Sequence, residues 1–108
     1  MKYFLIVLVT PILTISQTLI TENLFFDGLQ REYIVYTPAS YNATSEFPVL
    51  LNFHGGDGYS EEFMLYTNDM RSIADTANFI AVYPQGALDY EGAEGNQAST
   101  SWIHKAPT

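Results

Sequence analysis

The stretch Val49-Leu50-Leu51-Asn52-Phe53-His54-Gly55-Gly56-Asp57-Gly58 decides how this chain is read. Its nearly continuous apolar run suits a strand covered on both faces, as in a parallel sheet flanked by helices. The run passes directly into a bend rich in glycine, which permits backbone conformations closed to other residues. Downstream, Ser60 is placed to cap a short helix whose first turn holds Glu61 and Glu62, where the helix dipole favours acids. A longer helix is expected from Thr67 or Asn68. It sets Met70, Ile73, Ala74 and Ala77 on one apolar face, with Asn78 as a left-handed stop. Phe79-Ile80-Ala81-Val82-Tyr83 is the next buried strand, ended by Pro84. Upstream, the β-rich segments 18–25 and 31–37 flank Asp27-Gly28 and are expected to pair as an antiparallel hairpin. The segments 39–47 and 85–101 are polar and read as loops. The class is therefore α/β: a hairpin, then a strand–helix–strand crossover of a mainly parallel sheet. One such unit keeps exposed faces and an open edge, so residues 17–108 are expected to be part of a larger domain.

Composition narrows the function. The 108 residues are 47% hydrophobic and 15% charged, which excludes a disordered or linker-like chain; 7 Phe, 8 Tyr and 1 Trp supply a packed core. With no cysteine, disulfide scaffolds, thiolate zinc sites and cysteine nucleophiles are excluded. A net charge of −8 repels phosphate backbones and anionic membranes, so no nucleic-acid partner is expected. Lys2, the apolar run from Tyr3 to Leu13, and the small residues Thr14 and Ser16 before Gln17 form a signal-peptide pattern over residues 1–16. The run is too short for a stable membrane anchor, and the expected destination is secretion to the extracellular space or the periplasm. Asn42-Ala43-Thr44 is a glycosylation sequon that matters only in a glycosylating host.

The chemistry is concentrated in His54-Gly55-Gly56. Enzymes of acyl transfer must stabilise an oxyanion, and backbone N–H groups in a water-poor pocket do so without reorganisation. In α/β-hydrolases one such N–H comes from the loop between the third strand and the first helix. Together with 31–38 (Arg-Glu-Tyr-Ile-Val-Tyr-Thr-Pro), 73–86 (Ile-Ala-Asp-Thr-Ala-Asn-Phe-Ile-Ala-Val-Tyr-Pro-Gln-Gly) and Ser101-Trp102, the segment 48–56 resembles the start of the polyhydroxybutyrate depolymerase-like secreted esterases. That group includes feruloyl and acetyl-xylan esterases. The resemblance implies an N-terminal part of an α/β-hydrolase fold acting on an ester substrate, without metal or organic cofactor. It also implies an oxyanion-hole N–H from Gly55 or Gly56, a bracing role for His54, and a place for Trp102 near the substrate cleft. No G-x-S-x-G pentapeptide occurs in the sequence, so the nucleophile, acid and histidine of a triad are not expected within it. Gly58-Tyr59-Ser60-Glu61-Glu62 is only a half-match.

Plainer readings stand beside these. His54 as a general base or metal ligand has no second partner nearby in sequence, and His104 has no nucleophile upstream of it. Asp89, Glu91 and Glu94 lack the spacing of a calcium loop and read as a solvated acidic stretch. Asp57 with Glu61 or Glu62 could pair as catalytic carboxylates, but the helix N-terminus already explains the glutamates. Ser60, Ser99 and Ser101 read as loop serines. Tyr59, Tyr66 and Tyr90 could line an aromatic or sugar site, which keeps open a small secreted binding module; a peptidase of the same superfamily is the third reading.

Overall fold

The computed structural model describes residues 16–26, 28–89 and 99–102. Most of the expected leader, together with Asp27, Tyr90, Glu91, Glu94 and His104, lies outside the described residues. The hairpin forms first: β1 (Thr18–Phe26) pairs antiparallel with β2 (Leu29–Thr37), in register from Thr18↔Thr37 to Phe26↔Leu29. Gly28 adopts φ 74° at the turn, a left-handed conformation that glycine takes without a side-chain clash.

Next come β3 (Val49–Leu51), the short helices α1 (Ser60–Glu62) and α2 (Arg71–Ala77), and β4 (Ile80–Pro84). β4 lies between β2 and β3, antiparallel to the first and parallel to the second, giving the order β1-β2-β4-β3. The parallel β3–β4 pair joined through helices is the expected crossover. The segment 85–101 departs from the expected plain loop. Ala87–Asp89 (β5) and Ser99–Ser101 (β6) pair antiparallel, although neither triplet carries a strong strand signal.

Burial is one-sided, against the expectation of strands covered on both faces. Ile34, Tyr36, Ala81 and Tyr83 point to the face that packs on Met64 and Ala74, and these six form the buried apolar core. The opposite face stays open among the described residues, so Val49 and Leu51 are exposed and β4 alternates between buried and half-buried; Leu50 shares the core face with Ala81 but is exposed at the edge of the sheet. The strand also ends two residues early. Asn52 N–H still donates to Val82 O at 2.8 Å, and its side chain turns inward, Nδ2 donating to Leu50 O (3.2 Å) and Oδ1 accepting from Asn68 Nδ2 (2.9 Å).

The helices differ from expectation for local reasons. Ser60 is not a cap: Tyr59 holds that position without a side-chain bond, and Ser60 is the buried first residue of α1. A π turn (Phe63–Thr67) follows, closed by Asn68 N–H to Phe63 O at 2.8 Å. α2 begins only at Arg71, because Asp69 Oδ1 accepts the Arg71 N–H (3.1 Å) and the carboxylate also grips the guanidinium at 2.7 Å. That grip, with the guanidinium as donor, holds the Asp69 carboxyl below its usual range. Of the expected apolar face only Ala74 is fully buried; Ile73 is 48% exposed and Ala77 is exposed. The small side chain at 74 brings the helix close to the sheet, and a helix of two turns has no length to bury a wider stripe. Asn78 ends it at φ 59°, ψ 61°, the expected left-handed stop.

Two tyrosines tie helix to sheet. Tyr36 OH donates to Asp75 Oδ1 at 2.7 Å. Burial first, then the Asp75 hydrogen bond and charge, push its pKa up to about 12. Tyr83 OH accepts the Met70 N–H (2.8 Å) and donates to Asn68 O (2.9 Å), fixing the connection into α2 from inside the core.

Candidate functional site

Beyond Asn52 the chain enters the glycine bend. Gly58 N–H donates to Gly55 O at 3.2 Å, so residues 55–58 form a four-residue turn. Its left-handed residue is not a glycine: Asp57 has φ 60°, a conformation that Asp tolerates better than most side chains. The glycines serve another purpose. A Cβ on Gly58 would lie 3.1 Å from both Gly55 O and His54 Nδ1, whereas Cβ atoms on Gly55 and Gly56 would meet nothing within 4 Å. A side chain at 58 would press on two neighbours, whereas Gly55 and Gly56 face open space.

The amides of the turn divide in two. Gly58 N–H is committed to Gly55 O, and Asp57 N–H to Thr100 O at 3.0 Å. Gly55 N–H and Gly56 N–H have no acceptor among the described residues. Two neighbouring donors on an exposed turn, just beyond a parallel strand, are thus left uncommitted.

The turn is held from several sides. His54 is buried, and its Nε2 accepts the Gly86 N–H at 2.9 Å. An amide can only donate, so Nε2 carries the lone pair and the proton resides on Nδ1, which donates to Gly55 O at 2.6 Å. Both ring nitrogens are occupied in holding backbone. Thr100, buried in β6, donates through Oγ1 to Gly58 O at 2.6 Å. Trp102 donates its indole N–H to His54 O at 2.7 Å and packs edge-on against Phe53, centroids 4.9 Å apart.

Trp102, 39% exposed, also walls a cavity of about 390 Å³ on the open face of the sheet, with Leu24, Arg31, Tyr33, Leu51 and Gln85 among its lining. Gly55 and Gly56 do not line it; Trp102 and Gln85 connect it to the turn. The remaining candidates are dispersed. Ser60 is buried at the start of α1, Tyr59 and Tyr66 are exposed, and among the described residues no three His, Cys, Asp or Glu side chains gather to hold a metal ion. Reading the sequence missed Thr100, Gln85 and Gly86 as parts of this region. The signal was faint: a Pro-Gln-Gly step after a strand, and a lone threonine among serines.

In structure the chain is similar to the S-formylglutathione hydrolase of Staphylococcus aureus, crystallised as the apoenzyme, with a TM-score of 0.54 at 19% identity. The fold is of the α/β-hydrolase type. The match covers 73% of this chain and 35% of that one, so the chain spans about a third of the enzyme's length. Identity this low carries the architecture and not the chemistry. No family model and no curated protein matches the chain.

Proposed function

We propose that this chain is the oxyanion-binding N-terminal portion of a secreted serine esterase or depolymerase, acting on carboxylic esters such as polyhydroxyalkanoates or the feruloyl and acetyl esters of plant walls. One observation carries the reading: among the described residues, the N–H groups of Gly55 and Gly56 have no acceptor, on a turn whose other amides are bound. In α/β-hydrolases the loop between the third strand and the first helix supplies such a donor, and this turn joins β3 to α1.

The chemistry assigned to this chain is electrostatic. As a nucleophile adds to the ester carbonyl, the carbonyl oxygen gains negative charge, and donors already pointing at it stabilise that charge without reorganising; one such donor is worth about 3–4 kcal/mol of barrier. His54 keeps the turn in place and takes no proton from substrate. Trp102 and the adjoining cavity offer an apolar surface for the acyl or alcohol group. The serine, acid and histidine of the triad lie outside these 108 residues in this reading.

The test has two parts. An 15N-labelled chain titrated with phenylphosphonate, a stand-in for the anionic oxygen, is expected to show amide shifts at Gly55 and Gly56 ahead of all others. The unlabelled chain is expected to show no serine-dependent turnover of p-nitrophenyl acetate. Silent glycine amides would sink the oxyanion assignment, and serine-dependent turnover would sink the placement of the nucleophile.

A further inference from the structure

We propose that Gln85 is the positioning residue of the oxyanion turn, a role that rests on the reading above and deepens it. Its backbone is anchored where β4 ends, Gln85 N–H donating to Glu32 O at 2.9 Å. Its side chain reaches into the turn. Oε1 accepts the Ser60 N–H at 2.8 Å. Nε2 lies 3.4 Å from Gly58 O, 3.2 Å from Gly86 O and 3.2 Å from His54 Nε2.

The last contact is not a good hydrogen bond, because the single lone pair of His54 Nε2 already receives the Gly86 N–H. The two amide hydrogens of Gln85 therefore serve the carbonyls of Gly58 and Gly86. The surroundings are sorted by polarity: one backbone donor faces the amide oxygen, and only acceptors face the amide nitrogen. A carboxylate at this position would satisfy the Ser60 N–H and repel the other three groups. A thioether would satisfy none.

Two consecutive residues thus grip the turn at both ends. Gly86 N–H holds His54, which holds Gly55 O; Gln85 holds Gly58 O and the start of α1. Gly55 and Gly56, whose amides have no acceptor among the described residues, lie between the grips. Stabilising an oxyanion depends on where its donors point, so a loosened far end misdirects them without unfolding the sheet.

The experiment compares the full chain with Gln85→Met and Gln85→Glu, by amide hydrogen exchange, His54 ring 15N shifts and phenylphosphonate titration. Met70 N–H, held by Tyr83 in the core, is the internal reference. In Gln85→Met, exchange at Ser60 and Gly58 is expected to accelerate about tenfold or more, equivalent to losing one or two such bonds. The phosphonate response of Gly55 and Gly56 weakens, and Met70 is unchanged. In Gln85→Glu, Ser60 stays protected while Gly58 exchanges faster and the His54 ring signals move, a split that general destabilisation does not produce. Where Gln85→Met does not fold, Gln85→Glu carries the same comparison. Unchanged exchange at Ser60 and Gly58, or Met70 accelerating in step with them, overturns the positioning role. If wild-type Gly55 and Gly56 ignore the phosphonate while the exchange pattern holds, the oxyanion reading fails, and Gln85 is left as a clamp without that purpose.

Discussion

Replacing Gly58 by alanine tests the geometry of the turn most directly. The added methyl meets Gly55 O and His54 Nδ1, each at 3.1 Å, about 0.3 Å inside ordinary contact. Neither neighbour yields easily. Gly55 O already accepts from Gly58 N–H and from the His54 ring, and moving that ring stretches the Gly86 N–H bond on its far side. Crowding of this kind costs about 1–3 kcal/mol, and weakening one buried hydrogen bond adds about 0.5–1.5 kcal/mol. The alanine returns about 0.4–1 kcal/mol by restricting the unfolded chain. The net expectation is a loss of about 0.5–4 kcal/mol, felt first in the turn. The protein carries its own probe, since its single tryptophan donates to His54 O. Gly58→Ala is expected to shift Trp102 emission to the red and increase its quenching by acrylamide. Gly55→Ala and Gly56→Ala, whose methyl groups enter open space, are expected to leave both unchanged. If all three variants behave alike, crowding is not what the glycine at 58 relieves.

Tyr83→Phe removes a hydroxyl that serves Met70 N–H and Asn68 O, and is expected to cost about 1–3 kcal/mol in a denaturant titration, with Met70 among the amides whose exchange quickens most. An unchanged midpoint would contradict the bridge. Tyr36 makes the fold sensitive to alkali. Its phenol is raised from 10 to about 12, so the neutral form is the one the fold favours. That stability is complete below pH 10 and is lost as pH climbs through about 12; Tyr36→Phe should remove this part of the pH dependence. Val49→Lys places a charge on an exposed edge strand and is expected to reduce light scattering by self-association while changing stability by less than about 0.5 kcal/mol.

How far the sequence could be read depended on the range of the interaction involved. The hairpin was visible because alternation and an Asp-Gly turn are local signals, and the β3–α–β4 crossover because apolar runs bracket a helical pattern. The end of α2 was visible in one residue, Asn78. What escaped depends on partners distant in the chain. Gln85 supplies the acceptor at the start of α1, a task the sequence suggested for Ser60, and the two are 25 residues apart. The β5–β6 pair is stitched to the turn by Thr100, 42 residues from Gly58. The apolar runs at 49–53 and 79–83 speak of burial without saying on which side it is achieved, so the open face was invisible. Glycine's conformational freedom is not what the bend draws on: φ is left-handed at Asp57, and at 58 the advantage of glycine is space.

The strand order has a consequence for assembly. β4 is the last of the four to be synthesised, yet it occupies the middle of the sheet, between β2 and β3. Until Pro84 leaves the ribosome, the first hairpin and the lone third strand share no neighbour, and neither can shelter the other. The glycine turn is later still: Gln85 and Gly86 follow at once, but two of its other partners, Thr100 and Trp102, come more than a dozen residues after them. Pairing of these four strands therefore comes first, and the turn is locked only when Thr100 and Trp102 have followed.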